Sequence, residues 1–122
     1  MPDLAGVRVL IVEDESIVAM MLEEMLEELG CEIAASVASV ARAEHAVRTI
    51  DVDLALLDVN LSGETTIDFA RGLAGRPIPF AFCTGYGSAG VPADLRDRPV
   101  LTKPFAPWEL RKAIERVLLP SD

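Results

Sequence analysis

Five side chains in this 122-residue sequence have the types to bind a cation and a phosphate together: Glu13 and Asp14, Asp58, Thr84 and Lys103. Each lies at or just past the end of a short apolar run. Carboxylates brought close together repel, which either raises a pKa or recruits a cation. Hard oxygen ligands select Mg²⁺. A threonine hydroxyl and a lysine ammonium alongside add a hydrogen-bond donor and a second positive charge, so the set suits metal plus phosphate. A single acid ending a strand is ordinarily a helix cap or a solvated rim residue; the weight lies in the combination.

These residues can act together only if the elements that carry them deliver them to one edge. Val7 to Val12 is β-branched and nearly all apolar, the pattern of a strand buried on both faces, and Glu13-Asp14-Glu15 closes it. Ser16 to Leu29 is a predicted helix with Val18, Met21, Leu22, Met25, Leu26 and Leu29 on one stripe, stopped by Gly30. Further strands are predicted at Glu32 to Val37, Leu54 to Asp58, Phe80 to Thr84 and Val100 to Thr102. Helices are predicted at Ser39 to Ile50, Thr65 to Leu73 and from Pro107, where Leu110, Ile114, Val117 and Leu118 share a face. Gly85, Gly87, Gly90, Pro92 and Pro99 leave only Ala93 to Arg98 for about one turn of helix, so a fourth helix is expected to be short or absent.

Strands alternating with helices over short links imply an α/β fold, a doubly wound five-stranded parallel sheet with helices on both faces. In such sheets functional groups gather at the carboxyl ends of the strands. The first strand ends at Glu13 and Asp14, the third at Asp58, the fourth at Thr84 and the fifth at Thr102-Lys103-Pro104, so the five residues share one rim.

Composition sets the outer bounds. The length suits one domain, residues 1–122 with a core from about 7 to 119, and 51% hydrophobic with 25% charged residues is globular composition. Twenty acidic against eleven basic residues, a net charge of −9, argue against nucleic acid or an anionic membrane as a direct partner. The longest apolar run, Ile17 to Leu22, is far shorter than the ~20 residues of a membrane span. Cys31 and Cys83 are too few for a disulfide framework and no targeting segment is evident, so the thiols are expected to stay reduced and the protein to be cytoplasmic.

The constellation resembles the receiver domain of two-component response regulators, from about Val7 to Leu119. The resemblance implies a flavodoxin-like sheet and makes Asp58 the phosphoacceptor. It assigns Mg²⁺ to Glu13 and Asp14, with Asp14 the direct ligand and Glu13 acting through water, together with Asp58 and the backbone carbonyl of Asn60. Thr84 and Lys103 would bind phosphoryl oxygens, and the bond before Pro104 would be cis. The implied partners are a histidine kinase or histidine phosphotransfer protein and a downstream protein of unknown identity. The protein would be no enzyme on an independent substrate, only the catalyst of its own Mg²⁺-dependent phosphorylation and dephosphorylation.

The run Pro79-Phe80-Ala81-Phe82-Cys83-Thr84-Gly85-Tyr86-Gly87 is similar to the signature of the FATGUY receivers, a mostly single-domain group, with Cys83 where alanine is usual. Val100 occupies the position where most receivers carry the Tyr or Phe that swings inward on activation. An order-disorder change over Gly85 to Arg98 is expected in its place, with Gly85, Tyr86 and Gly87 as switch residues. Ile17 and Met20 project among Glu24, Glu27 and Glu28, and exposed apolar groups of this kind mark partner surfaces. They are expected to dock the kinase, with Met21, Pro104 and Phe105.

Other residues have plainer readings. His45 is a surface histidine, Trp108 is expected to pack, Cys31 is a small buried residue, and Glu23, Glu24, Glu27 and Glu28 form a solvated helix face. Three alternatives stand beside the main one. The chain could be a receiver excised from a hybrid kinase or a larger regulator. It could be a small aspartate-nucleophile phosphohydrolase, although Asn60 stands where that chemistry needs a second acid. It could be a binding module that is never phosphorylated, against which the intact Asp14, Asp58, Thr84 and Lys103 argue.

Overall fold

The computed structural model describes residues 4–85 and 90–118. Five parallel strands form one sheet: β1 (Arg8–Val12), β2 (Glu32–Val37), β3 (Leu54–Asp58), and, after a small hairpin of β4 (Asn60–Leu61) with β5 (Glu64–Thr65), β6 (Phe80–Thr84) and β7 (Val100–Thr102). Their order across the sheet is β2-β1-β3-β6-β7. Four α-helices connect or follow them: α1 (Ser16–Glu28), α2 (Val40–Thr49), α3 (Ile67–Ala74) and α4 (Pro107–Leu118). None of the described helices is long and apolar enough to cross a membrane.

Strand periodicity explains the two-sided core. Val9, Ile11, Leu54, Leu56, Ala81, Cys83 and Leu101 point to the face covered by α1 and α4. The intervening Leu10, Val12, Ala55, Leu57, Phe80 and Phe82 point to the face covered by α2 and α3. A strand buried this way has no polar face, which is why the sequence reads as apolar runs closed abruptly by acids.

Local chemistry sets the helix ends. Gly30 follows α1 at φ +92°, its amide donating to the Glu27 carbonyl while the Cys31 amide reaches Leu26, so a left-handed glycine closes the last turn. Ser39 Oγ accepts from the Arg42 amide at the start of α2. Pro107 opens α4, and Glu109 Oε1 accepts from the Ala106 amide at 2.8 Å.

Three expectations change. The β4–β5 hairpin is additional. Its turn residues Ser62 and Gly63 both have positive φ (49° and 94°), the backbone of a tight hairpin whose twist matches its arms. The short fourth helix is as expected: residues 93–95 form a single 3₁₀ turn, whose Leu95 is buried with Val91 against the α2/α3 face. Met21 was expected in the core stripe of α1, yet it is 49% exposed, because the sheet takes Ala19, Leu22 and Leu26 and leaves Met21 on the flank with Ile17 and Met20. Trp108 was expected to pack and is 66% exposed. It lies two residues before buried Leu110, about 200° around the helix, and so faces away from the core.

Candidate functional site

Strand order reverses at β1 and β3, the central strands, and the crevice beyond the carboxyl ends of such strands is where open α/β sheets bind ligands. Glu13, just past β1, donates its amide to the Val37 carbonyl at 3.0 Å, which keeps the backbone extended and turns its side chain inward. Its carboxylate is buried: Oε2 accepts the Glu15 amide at 3.1 Å and Oε1 accepts Lys103 Nζ at 2.7 Å. Asp14 is half-buried and accepts a hydrogen bond from Ser62 Oγ at the hairpin turn. Asp58, the last residue of β3, accepts the Asn60 amide on Oδ1 at 3.4 Å and Lys103 Nζ on Oδ2 at 3.3 Å.

Carboxylate oxygens of Glu13, Asp14 and Asp58 all lie within 4.8 Å of one another. Three carboxylates against one ammonium leave excess negative charge in a partly buried crevice, and every donor atom is a hard oxygen. The residues present therefore fit a hard divalent cation. Burial pushes the Glu13 carboxyl above its usual pKa, against the hydrogen bonds from Lys103 and the Glu15 amide, and the negative charge of Asp58 adds to the rise. Burial also works against the Lys103 ammonium, but the hydrogen bond to Glu13 and the charges of Asp58 and Glu13 prevail and hold its pKa above the ordinary lysine value.

Thr84 ends β6 one step beyond Cys83, which is opposite Asp58 in the register. It is buried, and its carbonyl accepts the Lys103 amide at 2.8 Å, so β6 and β7 are tied where the lysine leaves the sheet. The Lys103–Pro104 peptide is cis. Cys83 fills the core behind the site, with burial pushing its thiol up to about 12.

The five residues singled out at strand ends thus meet at one rim. Asn60 opens the hairpin beside them, and Gly85 is exposed next to Thr84. Tyr86 and Gly87, expected as switch residues, lie outside the described residues. Ile17, Met20 and Met21 are exposed on α1, and Pro104 is exposed beyond Lys103, whereas Phe105 is half-buried against the α1/α4 core. Two neighbours were missed in the sequence. Thr66 is fully buried, its hydroxyl donating to the Asp58 carbonyl at 2.7 Å and its amide to the Val59 carbonyl at 3.0 Å, which anchors the backbone of Asp58. Ser62 holds Asp14. A threonine before a helical pattern and a Ser-Gly pair were the available signals.

A five-stranded doubly wound sheet with an acidic crevice, a strand-end hydroxyl and a lysine defines the class of phosphate-handling α/β signalling domains. The chain matches the response regulator receiver domain over residues 9–115 and belongs to that family. It is 34% identical over 112 residues to the transcriptional regulatory protein PdtaR of Mycobacterium tuberculosis, an alignment that covers 88% of this chain and 55% of PdtaR. The chain thus spans about half the length of that curated relative. The solution structure of SdrG from Sphingomonas melonis Fr1 superposes with a TM-score of 0.84 at 44% identity, covering 98% of this chain and all of that one. The BeF3-activated conformation of SdrG, from Pseudomonas melonis Fr1, gives 0.82 at 44% identity over 94% of this chain and 98% of that one.

Proposed function

We propose that this receiver accepts a phosphoryl group on Asp58 from a phosphohistidine of a kinase or phosphotransfer protein, and signals by changing its affinity for another protein in the cytoplasm. The observation that carries the reading is Lys103 Nζ lying between Glu13 and Asp58, on the rim where three carboxylates converge. In transfer, an oxygen of the Asp58 carboxylate attacks phosphorus while the donor's N–P bond breaks, its electron pair staying on the imidazole, which takes a proton from water. The product is an acyl phosphate. Charge in this transition state spreads over three equatorial oxygens, so the protein chiefly positions and neutralises. Lys103 would pair with one oxygen and the Thr84 hydroxyl would donate to another. Glu13, Asp14, Asp58 and the Asn60 carbonyl would hold Mg²⁺, which supplies further charge neutralisation.

Supporting this reading, a relative at 44% identity adopts a conformation described as BeF3-activated. Ile17, Met20 and Met21, with Pro104 and the exposed part of Phe105, would form the docking surface for the donor, and exposed Trp108 at the start of α4 extends it. Gly85, Tyr86 and Gly87 would report the state of Thr84. Treatment with acetyl phosphate and Mg²⁺ should add one phosphoryl group by intact mass, and Asp58→Asn should abolish the gain. An Asp58→Asn protein that gains it at the same rate would refute the assignment.

A further inference from the structure

At the opposite edge of the sheet from Asp58, a groove of about 640 Å³ opens where β6 and β7 begin. That volume lies within the ~300–1,000 Å³ range of ligand sites. Arg76 follows α3, Arg98 precedes β7 and Arg116 comes from the last turns of α4, and all three line it, with Asp97 as its acid. Three guanidiniums against one carboxylate make a basic concavity on a protein whose net charge is −9.

Two of the arginines are organised. Arg98 pairs with Asp97 at 2.7 Å and stacks 5.0 Å from the centroid of the Phe80 ring, and Arg116 donates to the Asp97 carbonyl at 3.3 Å. Arg76 is exposed and no carboxylate pairs with it among the described residues. Ile78 and Val117, both half-buried, add apolar surface to the groove, and Phe80 lies buried beneath it. Pro77, Pro79 and Pro99 fix φ along its walls, which limits the ordering a ligand would have to impose.

We infer that this groove docks a short acidic segment of a partner protein, with apolar side chains between its carboxylates. Charge complementarity selects the occupant: three guanidiniums against one carboxylate attract an acidic segment to this groove, although the protein as a whole carries a net charge of −9. The apolar lining favours a peptide with hydrophobic side chains over a bare anion. The proposal does not depend on phosphorylation of Asp58, which lies at the other end of the strands.

A fluorescein-labelled peptide alternating glutamate and leucine, titrated into the unphosphorylated protein and read by anisotropy, tests it. Binding should saturate, weaken with added salt, and exceed that of a serine-leucine peptide of equal length. The double variant Arg76→Glu with Arg116→Glu should bind at least about tenfold more weakly, as expected when partly desolvated charge pairs become repulsive. Both side chains are exposed, so the fold should persist, checked by amide NMR spectra and by unchanged acetyl phosphate labelling at Asp58. Binding no stronger than the serine-leucine control, or undiminished in the double variant, would overturn the proposal. So would self-association in sedimentation that the double variant abolishes, because the groove would then receive a second copy of this chain.

Discussion

Lys103 Nζ lies nearer to Glu13, at 2.7 Å from Oε1, than to Asp58, at 3.3 Å from Oδ2. The ammonium neutralises a fully enclosed carboxylate whose other oxygen is already taken by the Glu15 amide. Lys103→Met leaves that carboxylate without its main partner, at a cost of about 1–3 kcal/mol. The cost depends on pH. A carboxyl whose folded pKa is raised is bound to its proton more tightly in the folded state, so stability is retained below the ordinary value of 4.5 and lost as pH rises through the folded pKa. Urea denaturation of Lys103→Met should therefore match the parent most closely in acid and diverge towards neutral pH. A gap independent of pH would show that Glu13 is not the group left unpaired.

Mg²⁺ affinity is expected to fall more in Asp14→Ala than in Glu13→Ala. Both oxygens of Glu13 are engaged by protein donors, whereas Asp14 is half-buried and held by the single hydroxyl of Ser62, which a cation can displace. Amide chemical shifts during Mg²⁺ titration measure this, and unchanged affinity in Asp14→Ala would contradict it.

Thr66→Val keeps the shape of the side chain but removes the donor to the Asp58 carbonyl. A loss of about 1–2 kcal/mol in denaturant unfolding is expected, with recovery in Thr66→Ser. Thr66→Val should also slow labelling by acetyl phosphate, since the backbone that aims Asp58 loses its anchor.

Docking should be separable from chemistry. Ile17→Ala and Met20→Ala, at side chains 73% and 59% exposed, are expected to slow transfer from the cognate kinase by about tenfold, the scale of a hot-spot truncation. Labelling by acetyl phosphate should be unaffected. Equal losses with both donors would place the effect in the site itself.

Neither thiol should react readily with iodoacetamide at neutral pH in the folded state. Cys83 is buried with its pKa pushed up to about 12, and burial also raises that of Cys31. The thiolate is the reactive form. Reaction should appear only in denaturant, and rapid modification of the native protein would contradict the packing behind Thr84.

Leu54–Asp58 and Phe80–Thr84 were legible because a strand buried on both faces has a plain signature, and the edge strands Glu32–Val37 and Val100–Thr102, though less buried, also form with the bounds read from the sequence. The site was legible for the same reason, since each of its acids interrupts such a run. Met21 was misplaced because the stripe of a helix shows its period but not which flank the sheet covers, whereas the exposure of Trp108 follows from the period itself, which sets it about 200° from Leu110. The β4–β5 hairpin escaped because two-residue arms carry no periodicity. Ser62 and Thr66 escaped because their hydrogen bonds reach Asp14 and Asp58, 48 and 8 residues away, and nothing local encodes those contacts.

The central claim is that Asp58 carries the phosphoryl group, and reductive trapping locates it most directly. Borohydride converts an aspartyl phosphate to homoserine, so protein treated with acetyl phosphate and Mg²⁺, reduced, digested and sequenced by mass spectrometry, should carry homoserine at Asp58. Omission of Mg²⁺ should leave aspartate there. Homoserine at Asp14 or Glu13-derived reduction product in its place, or unmodified Asp58 in protein whose intact mass has risen by one phosphoryl group, would contradict the account.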